Sequence, residues 1–273
     1  MDILEAALVQ MKSTENKKEN LDLSLDFIQK AAKKNADFIF FPEFQMMYSS
    51  KEQSLKELHY EAEILANSNF LMELKKSARR NKIGIVATMF EKEKDSKKVF
   101  DTAVTINKKG EILAVYRKLH LYDAFGFRES SKFLFGSKIT RPVNLQCIKS
   151  GLVICYDIRF PEISRILSLK GIDMLIVPSG WVYGTMKEEH WITMLKARAI
   201  ENGIYVIAPN QVGNIFCGRS TVIDPLGMIL TDLGDRIGYQ IVEIQKNRIK
   251  DIRKSLPLLK NRREDIYSLN LSD

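Results

Sequence analysis

The sequence predicts an α/β protein that forms one domain with two sheets and helices over their outer faces. Short apolar runs alternate with amphipathic stretches over the first two hundred residues, which is the pattern of an α/β domain. The run Phe38-Ile39-Phe40-Phe41 is apolar at every position, as expected for an internal strand covered on both faces. Two later apolar runs joined by Lys108-Lys109-Gly110 indicate a hairpin, so antiparallel strands are mixed with the parallel ones.

Strands and helices alternate through the first half of the chain. In the first helix Leu21, Leu25, Ile28 and Ala32 recur at spacings of four, three and four residues, which is the helical period. The elements predicted here are, in chain order, strand Ile3–Met11, helix Asn16–Lys34, strand Asp37–Phe41, one long helical stretch from about Glu52 to Arg80, strand Ile83–Phe90, and the hairpin strands Val99–Asn107 and Glu111–Arg117.

The second half begins with a loop region over residues 119–141 and ends in a charged segment. The last three strands are predicted to form a meander, because Asp224-Pro225-Leu226-Gly227 is a turn sequence. The elements predicted are, in order, strands Val143–Ile148 and Gly151–Cys155, a helix from Pro161, strand Met174–Pro178, helix Lys187–Asn202, strands Ile204–Pro209, Gly218–Asp224, Gly227–Asp232 and Tyr239–Ile244, and a helix with a tail over Asn247–Asp273. Without a repeat or a linker, residues 1–273 are expected to form a single domain.

Composition narrows the class of protein. The 273 residues are 45% hydrophobic, which is enough for a substantial core, and the net charge of +8 is spread along the chain rather than gathered into a basic arm. We therefore expect no nucleic-acid partner. No apolar run approaches the roughly 20 residues that span a bilayer, and the first residues lack the features of a secretion signal. The widely spaced Cys147, Cys155 and Cys217 fit a reducing compartment, so we expect a cytoplasmic protein without a membrane partner.

The segment Gly151–Glu162, GLVICYDIRFPE, contains the best candidate nucleophile. Cys155 ends a buried strand just before a predicted helix start, where a side chain projects out of the sheet and helix N–H groups favour a thiolate. A buried cysteine at the end of a strand is more often a packing residue. The polar cluster Asp157, Arg159 and Glu162 directly after it favours a functional role.

A nucleophilic thiol needs a base, and the sequence offers two kinds. Three histidines are present, His59, His120 and His190, but no flanking sequence supports a Cys–His protease. Glu43 lies just past the all-apolar strand, where α/β folds form crevices, and burial there would raise its pKa towards neutrality. Lys118, at the end of another predicted strand, could stabilise an oxyanion.

Three segments carry a family resemblance. Phe41-Pro42-Glu43-Phe44, Arg117-Lys118-Leu119-His120 and Ile154-Cys155-Tyr156-Asp157 occur in this order and resemble the signature segments of the nitrilase (carbon–nitrogen hydrolase) superfamily. Further similar segments bring the resemblance to nearly the whole chain; they are Arg159–Glu162, Val177–Gly180, Lys196–Asn202, Gly218–Thr221 and Asp224–Gly227.

The resemblance implies a four-layer αββα sandwich that pairs as a homodimer through the helices near Pro161–Leu169 and Trp191–Ile200. It implies a Glu43–Lys118–Cys155 triad, a supporting Glu129 in the segment Phe-Arg-Glu-Ser-Ser, and an oxyanion contact from the backbone N–H of Tyr156. No metal or organic cofactor is implied.

The residues after the nucleophile point to a branch of the family. Cys-Tyr-Asp followed by Arg-Phe-Pro-Glu is more similar to the amidases close to omega-amidase and deaminated glutathione amidase than to true nitrilases, where Trp-Glu commonly follows the cysteine. We therefore expect hydrolysis of a small amide to ammonia and a carboxylate through a thioester. Nitrile hydrolysis and N-carbamoyl amide hydrolysis are the enzyme alternatives, and a non-catalytic basic binding protein is the alternative of another class.

Overall fold

The computed structural model describes residues 2–267 and residue 269, and its main feature is a pair of six-stranded mixed sheets. The strands of the first sheet are β1 (Ile3–Gln10), β2 (Phe38–Phe40), β3 (Gly84–Lys92), β4 (Val99–Ile106), β5 (Ile112–Arg117) and β14 (Gly238–Gln245). Those of the second sheet are β6 (Val143–Leu145), β7 (Ile148–Leu152), β8 (Met174–Ile176), β9 (Tyr205–Ala208), β12 (Thr221–Ile223) and β13 (Ile229–Asp232). A small hairpin consists of β10 (Val212–Gly213) and β11 (Phe216–Cys217).

Helices cover the outer face of each sheet. The α-helices are α1 (Lys17–Lys33), α2 (Leu55–Glu61), α3 (Asn69–Asn81), α4 (Pro161–Leu169), α5 (Lys187–Asn202) and α6 (Lys246–Ser255). The first sheet runs in the order β14-β1-β2-β3-β4-β5, and the second runs β13-β12-β9-β8-β7-β6. In the first sheet β1, β2 and β3 are parallel, and in the second β7, β8 and β9 are parallel. The predicted αββα sandwich is confirmed.

Alternate residues of β2 show how the layers are built. Phe38 and Phe40 point into the core shared by the two sheets, whereas Ile39 and Phe41 pack in the core under α1 and α3. Successive side chains of a strand point to opposite faces, so a strand buried on both faces must be apolar throughout. This is the physical reason for the uninterrupted apolar run.

The predicted long helix from Glu52 to Arg80 is wrong, because the segment forms two separate helices, α2 and α3. The Glu63 N–H donates to the Phe90 carbonyl at 3.0 Å, and the Lys92 N–H donates to the Glu63 carbonyl at 2.9 Å, so this residue pairs with the edge of β3. Ser68 then caps α3 by accepting the Leu71 N–H. A tertiary strand contact therefore outweighs the helical pattern.

The predicted three-strand meander near the C-terminus is also wrong. Strands β12 and β13 pair in the second sheet, but β14 crosses to the first sheet and runs antiparallel to β1. The side-chain amide of Gln10 on β1 donates to the carbonyls of Gly234 and Arg236 at 3.0 and 2.8 Å and holds this crossover. The single strand predicted over Val143–Ile148 is also wrong. This segment contains β6, a turn at Gln146 with φ of 54°, and the first residue of β7, which pairs antiparallel with β6.

The C-terminal segment starts as predicted with a helix, α6, which buries Ile249 and Ile252. Residues 268 and 270–273 of the predicted tail lie outside the described residues. Cys147, Cys155 and Cys217 are all free thiols. In the described part of the chain, no helix combines the length and the apolarity that crossing a membrane requires.

One buried carboxyl group joins the first sheet to the turn after β7. The Asp157 Oδ2 atom accepts the Tyr116 hydroxyl of β5 at 2.6 Å and the Ile154 N–H at 2.9 Å. Its Oδ1 atom accepts the His120 N–H at 2.9 Å and lies 2.7 Å from His120 Nδ1. The His120 ring stacks on Phe160 at 3.7 Å. Asp157 therefore fixes the turn that follows β7 against the segment that follows β5.

Replacing Asp157 with Asn should destabilise the fold more than removing one of its partners. Whichever carboxyl oxygen becomes the amide NH2 group would then face a buried backbone N–H, either of Ile154 or of His120, and two donors cannot pair. We expect Asp157→Asn to lower the free energy of unfolding by about 2–4 kcal/mol. The control Tyr116→Phe should cost about 1–2 kcal/mol. Urea unfolding of both variants measures this, and equal losses would contradict the four-contact arrangement.

Candidate active site

Cys155 occupies a strained turn between β7 and α4. The strand ends at Leu152, and a 3-10 helix begins at Cys155, whose φ of 45° is unusual for a residue with a side chain. The Cys155 N–H donates to the Pro178 carbonyl at 3.0 Å, which ties the turn to the chain after β8. The side chain is only 8% exposed. This geometry projects the thiol from the end of the sheet into a neighbouring cavity.

Glu43 lies just after β2 and is completely buried. Its Oε1 atom accepts a hydrogen bond from Lys118 Nζ at 2.7 Å, and its Oε2 atom accepts one from the Gly180 N–H at 2.6 Å. The Gln211 side chain donates to the Glu43 backbone carbonyl at 2.9 Å. Three different segments of the chain therefore set the position and orientation of this carboxylate.

Glycine is required at position 180 because the backbone there approaches the aromatic wall of the site. An added Cβ would lie 2.6 Å from a ring atom of Phe44 and 2.8 Å from one of Phe216. Both distances are far below van der Waals contact. The small residue thus allows its N–H to reach Glu43.

Lys118 lies directly after β5, and its side chain is 2% exposed. Besides Glu43, its ammonium group contacts Glu129, at 2.8 Å to Oε1 and 3.0 Å to Oε2. Glu129 belongs to a 3-10 turn in the loop between β5 and β6 and also accepts the Tyr122 N–H at 2.5 Å. The ammonium group is therefore hydrogen-bonded to two carboxylates, one that follows β2 and one from the loop between β5 and β6.

Burial and the ammonium charge act on Glu43 in opposite directions. Burial raises the pKa of Glu43, but the charge of the Lys118 ammonium group and the hydrogen bond that this group donates hold that pKa below its ordinary value. Burial also lowers the pKa of Lys118, and the surrounding negative groups, Glu129 first, outweigh it and raise that pKa well above its usual range. Glu43 is thus a carboxylate and Lys118 a cation at neutral pH.

Cys155 holds its proton at neutral pH and is a thiol. Burial raises the pKa of Cys155 well above its usual range, and the nearby Glu43 carboxylate raises it further, against the opposing effect of Lys118. Burial likewise raises the pKa of Glu129, although Lys118 opposes this. The site therefore pairs a neutral thiol with a carboxylate that can accept its proton.

These groups line a cavity of about 220 Å³, which is large enough for a small organic molecule. Glu43, Lys118, Glu129 and Cys155 form its polar end. The wall also contains six aromatic residues, Phe44, Tyr48, Tyr122, Phe127, Phe133 and Phe216, and three cationic ones, Lys51, Arg128 and Lys132.

The structure thus brings together the side chains of Glu43, Lys118, Cys155 and Glu129. Tyr156 is adjacent to the nucleophile, and its ring packs edge-on against Tyr122 at 5.0 Å between ring centres. The histidine that the sequence places nearest the site, His120, contacts Asp157 and Phe160 instead.

Sequence reasoning missed three contributors to the site: Gly180, Gln211 and Asp101. Gly180 and Gln211 act on Glu43 through the backbone, and such contacts leave no pattern in the residue spacing. Asp101 carried a usable signal, because an acid at a buried position of an apolar strand is rare without a partner.

Comparison with known proteins agrees with this geometry. Residues 5–254 match the sequence profile of the carbon-nitrogen hydrolase family. A deaminated glutathione amidase from Synechocystis sp. is 36% identical over 270 residues, covering 94% of this chain and 97% of that protein.

Two solved structures share the fold over most of both chains. Nit3 of Saccharomyces cerevisiae, a member of branch 10 of the nitrilase superfamily, superposes with a TM-score of 0.85 at 28% identity, covering 96% of this chain and 97% of that one. An amidase from Nesterenkonia sp. superposes with a TM-score of 0.79 at 25% identity, covering 96% of this chain and 94% of that one. The chain therefore belongs to the carbon–nitrogen hydrolase family of the nitrilase superfamily.

Proposed function

We propose that this protein hydrolyses small linear amides through a thioester on Cys155 and releases ammonia and a carboxylate. The observation that carries the proposal is the buried group of Cys155, Glu43 and Lys118 at one end of the cavity. It combines a nucleophile, a base and a fixed positive charge where an amide carbonyl can enter.

In the first half-reaction Cys155 Sγ attacks the amide carbon while its proton passes to Glu43. The tetrahedral oxyanion is stabilised by Lys118 and by the backbone N–H of Tyr156. Glu43 then gives the proton to the departing nitrogen, the C–N bond breaks, and ammonia leaves. Because burial raises the pKa of Cys155, the thiol holds its proton at rest, and Glu43 must accept this proton for the sulfur to attack.

In the second half-reaction Glu43 takes a proton from water, and the resulting hydroxide attacks the thioester. The C–S bond breaks, the acid is released, and the proton on Glu43 returns to the cysteine sulfur. Glu129 orients Lys118 throughout, because both of its carboxylate oxygens accept hydrogen bonds from the ammonium group.

Two cations next to Cys155 indicate the substrate class. A smaller cavity of about 20 Å³ adjoins the thiol and includes Arg159 and Lys187 in its wall. Among residues 2–267 and 269, neither cation forms an ion pair. Lys187 Nζ donates a hydrogen bond to the Tyr122 hydroxyl at 2.5 Å, and the buried Nε and Nη2 atoms of Arg159 have no hydrogen-bond partner. Burial lowers the pKa of Lys187, and repulsion by Arg159 adds to this. An acyl group that carries a carboxylate would pair with these groups.

We propose that residues 1–273 form a single hydrolase domain that acts in the cytoplasm, since free thiols suit a reducing compartment.

We also propose that two copies of the protein form a homodimer. Ile200 on α5 and Leu226 and Met228 in the turn between β12 and β13 are all more than 40% exposed. They adjoin one another, because Gly227 lies against Ile200. Such a patch is suited to contact with a second copy.

Cys155→Ala should abolish turnover and leave the fold intact, since it removes the nucleophilic sulfur and little else. We expect ammonia release to fall by more than about a hundredfold. The melting temperature should stay close to that of the wild type. Cys147→Ala, which removes a free thiol from the turn between β6 and β7, is the matched control and should keep full activity. Residual ammonia release above about a hundredth of the wild-type rate would rule out the thioester mechanism.

Arg159→Met should select against charged substrates. Succinamate and butanamide are suitable probes, because they present the same amide with and without a carboxylate. Losing one charge-assisted hydrogen bond should lower kcat/KM for succinamate by about 10- to 100-fold. The value for butanamide should change by less than about threefold, and Arg159→Lys should partly restore succinamate hydrolysis. Equal losses on both amides would assign Arg159 to the packing of the site instead.

Light scattering tests the assembly. The wild-type protein at tens of micromolar should have the mass of two chains, and Ile200→Lys should shift it towards one chain because it buries an unpaired charge in the patch. A wild-type monomer at this concentration would contradict the dimer.

A further inference from the structure

A third buried acid lies beside the Lys118 ammonium group. Asp101 on β4 is 1% exposed, and its Oδ2 atom is 3.9 Å from Lys118 Nζ. Oxygen atoms of Glu43, Asp101 and Glu129 all lie within 4.8 Å of one another. One ammonium group therefore faces three carboxyl groups in a space that solvent barely reaches.

The three carboxyl groups are not equivalent. Glu43 and Glu129 each accept a hydrogen bond of 2.7–3.0 Å from Lys118, and each also accepts a backbone N–H. Neither oxygen of Asp101 accepts a hydrogen bond from any residue in the described part of the chain. A buried carboxylate without a donor costs several kcal/mol, so Asp101 is the group on which a proton lowers the free energy most.

We propose that Asp101 is a neutral carboxylic acid that donates its proton in a hydrogen bond to Glu43, and that it acts as a positioning residue for this base. The inference rests on the proposed role of Glu43 and adds to it a third donor beside Lys118 and the Gly180 N–H. The hydrogen bond from Asp101 fixes the rotation of the Glu43 carboxylate, so that its oxygen lone pairs face defined donors.

The electrostatics of the cluster support this assignment. Burial raises the pKa of Asp101 well above its usual range, and the Glu43 charge raises it further, while Lys118 opposes both. The other groups that face Asp101 are Glu129 and the Tyr116 phenol, whose pKa burial raises well above its usual range. Lys118 thus supplies the nearby positive charge, and Glu43 and Glu129 already share it.

A neutral Asp101 also suits the reaction. The cluster of Lys118, Glu43, Glu129 and Asp101 then carries one net negative charge, and moving the Cys155 proton to Glu43 leaves the total unchanged. If Asp101 were ionised, a second negative charge would be buried, and both the thiolate and the oxyanion would form against it.

Two variants separate the neutral acid from an ionised one. Asp101→Asn keeps the shape and offers an N–H donor to Glu43, so the acid limb of the kcat/KM profile should stay within about 0.3 pH unit of wild type. Asp101→Leu removes the donor to the ionised form of Glu43, so the limb should move about one unit towards higher pH. A shift of about one unit towards lower pH in Asp101→Asn would mean that a negative charge had been removed, and would overturn the proposal. An unchanged limb in Asp101→Leu would also overturn it.

Infrared spectroscopy gives a readout that needs no activity and is therefore independent of the proposed function. At neutral pH the wild-type protein should show the carbonyl stretch of a buried carboxylic acid, and Asp101→Asn should lose it. Glu129→Gln is the control and should keep the band. A band that is lost in Glu129→Gln and kept in Asp101→Asn would place the proton on Glu129 and refute the proposal.

Discussion

The buried ion pair between Lys118 and Glu43 is the interaction on which the site depends. Both side chains are almost entirely removed from solvent, and the two buried charges stabilise each other across 2.7 Å. The two residues follow β5 and β2 of the first sheet, and the nucleophile follows β7 of the second. The face-to-face sandwich is what brings these three strand ends together. A change in the packing of the sheets would move Cys155 away from the two charges, which both follow strands of the first sheet.

Contacts between distant segments of the chain also maintain the strained backbone at Cys155. Cys155 adopts a positive φ that few residues with side chains accept, and the surrounding contacts hold it there. Its N–H is bound to the Pro178 carbonyl, and Asp157, two residues later, is anchored to Tyr116 of the other sheet. The segment after β8 therefore contributes two hydrogen bonds to the site: the Pro178 carbonyl accepts the Cys155 N–H, and the Gly180 N–H donates to the Glu43 carboxylate. The thiol and the carboxylate are positioned relative to each other by the same short segment.

Local sequence patterns predicted two sheets covered by helices. The three segments that resemble the family contain Glu43, Lys118 and Cys155, which line the cavity. The uninterrupted apolar run of β2 is sufficient because burial on both faces leaves a direct trace in composition. Other features depend on contacts between distant segments. The helix broken at Glu63 has a helical pattern on both sides, and only the edge of β3 breaks it. The crossing of β14 to the first sheet and the approach of Asp101 to Glu43 and Lys118 depend on the order of the strands in the sheet. Local sequence patterns do not reveal that order.

The proposed reaction passes through a thioester on Cys155, which a single-turnover experiment can detect. Enzyme in excess is mixed with a small amide, quenched with acid over a time course, and assayed for ammonia, free acid and the mass of the peptide that contains Cys155. If the thioester forms, ammonia appears before the acid, and this peptide transiently gains the mass of the acyl group. Simultaneous release of ammonia and acid at every time, with no acyl mass on the peptide, would contradict the thioester mechanism.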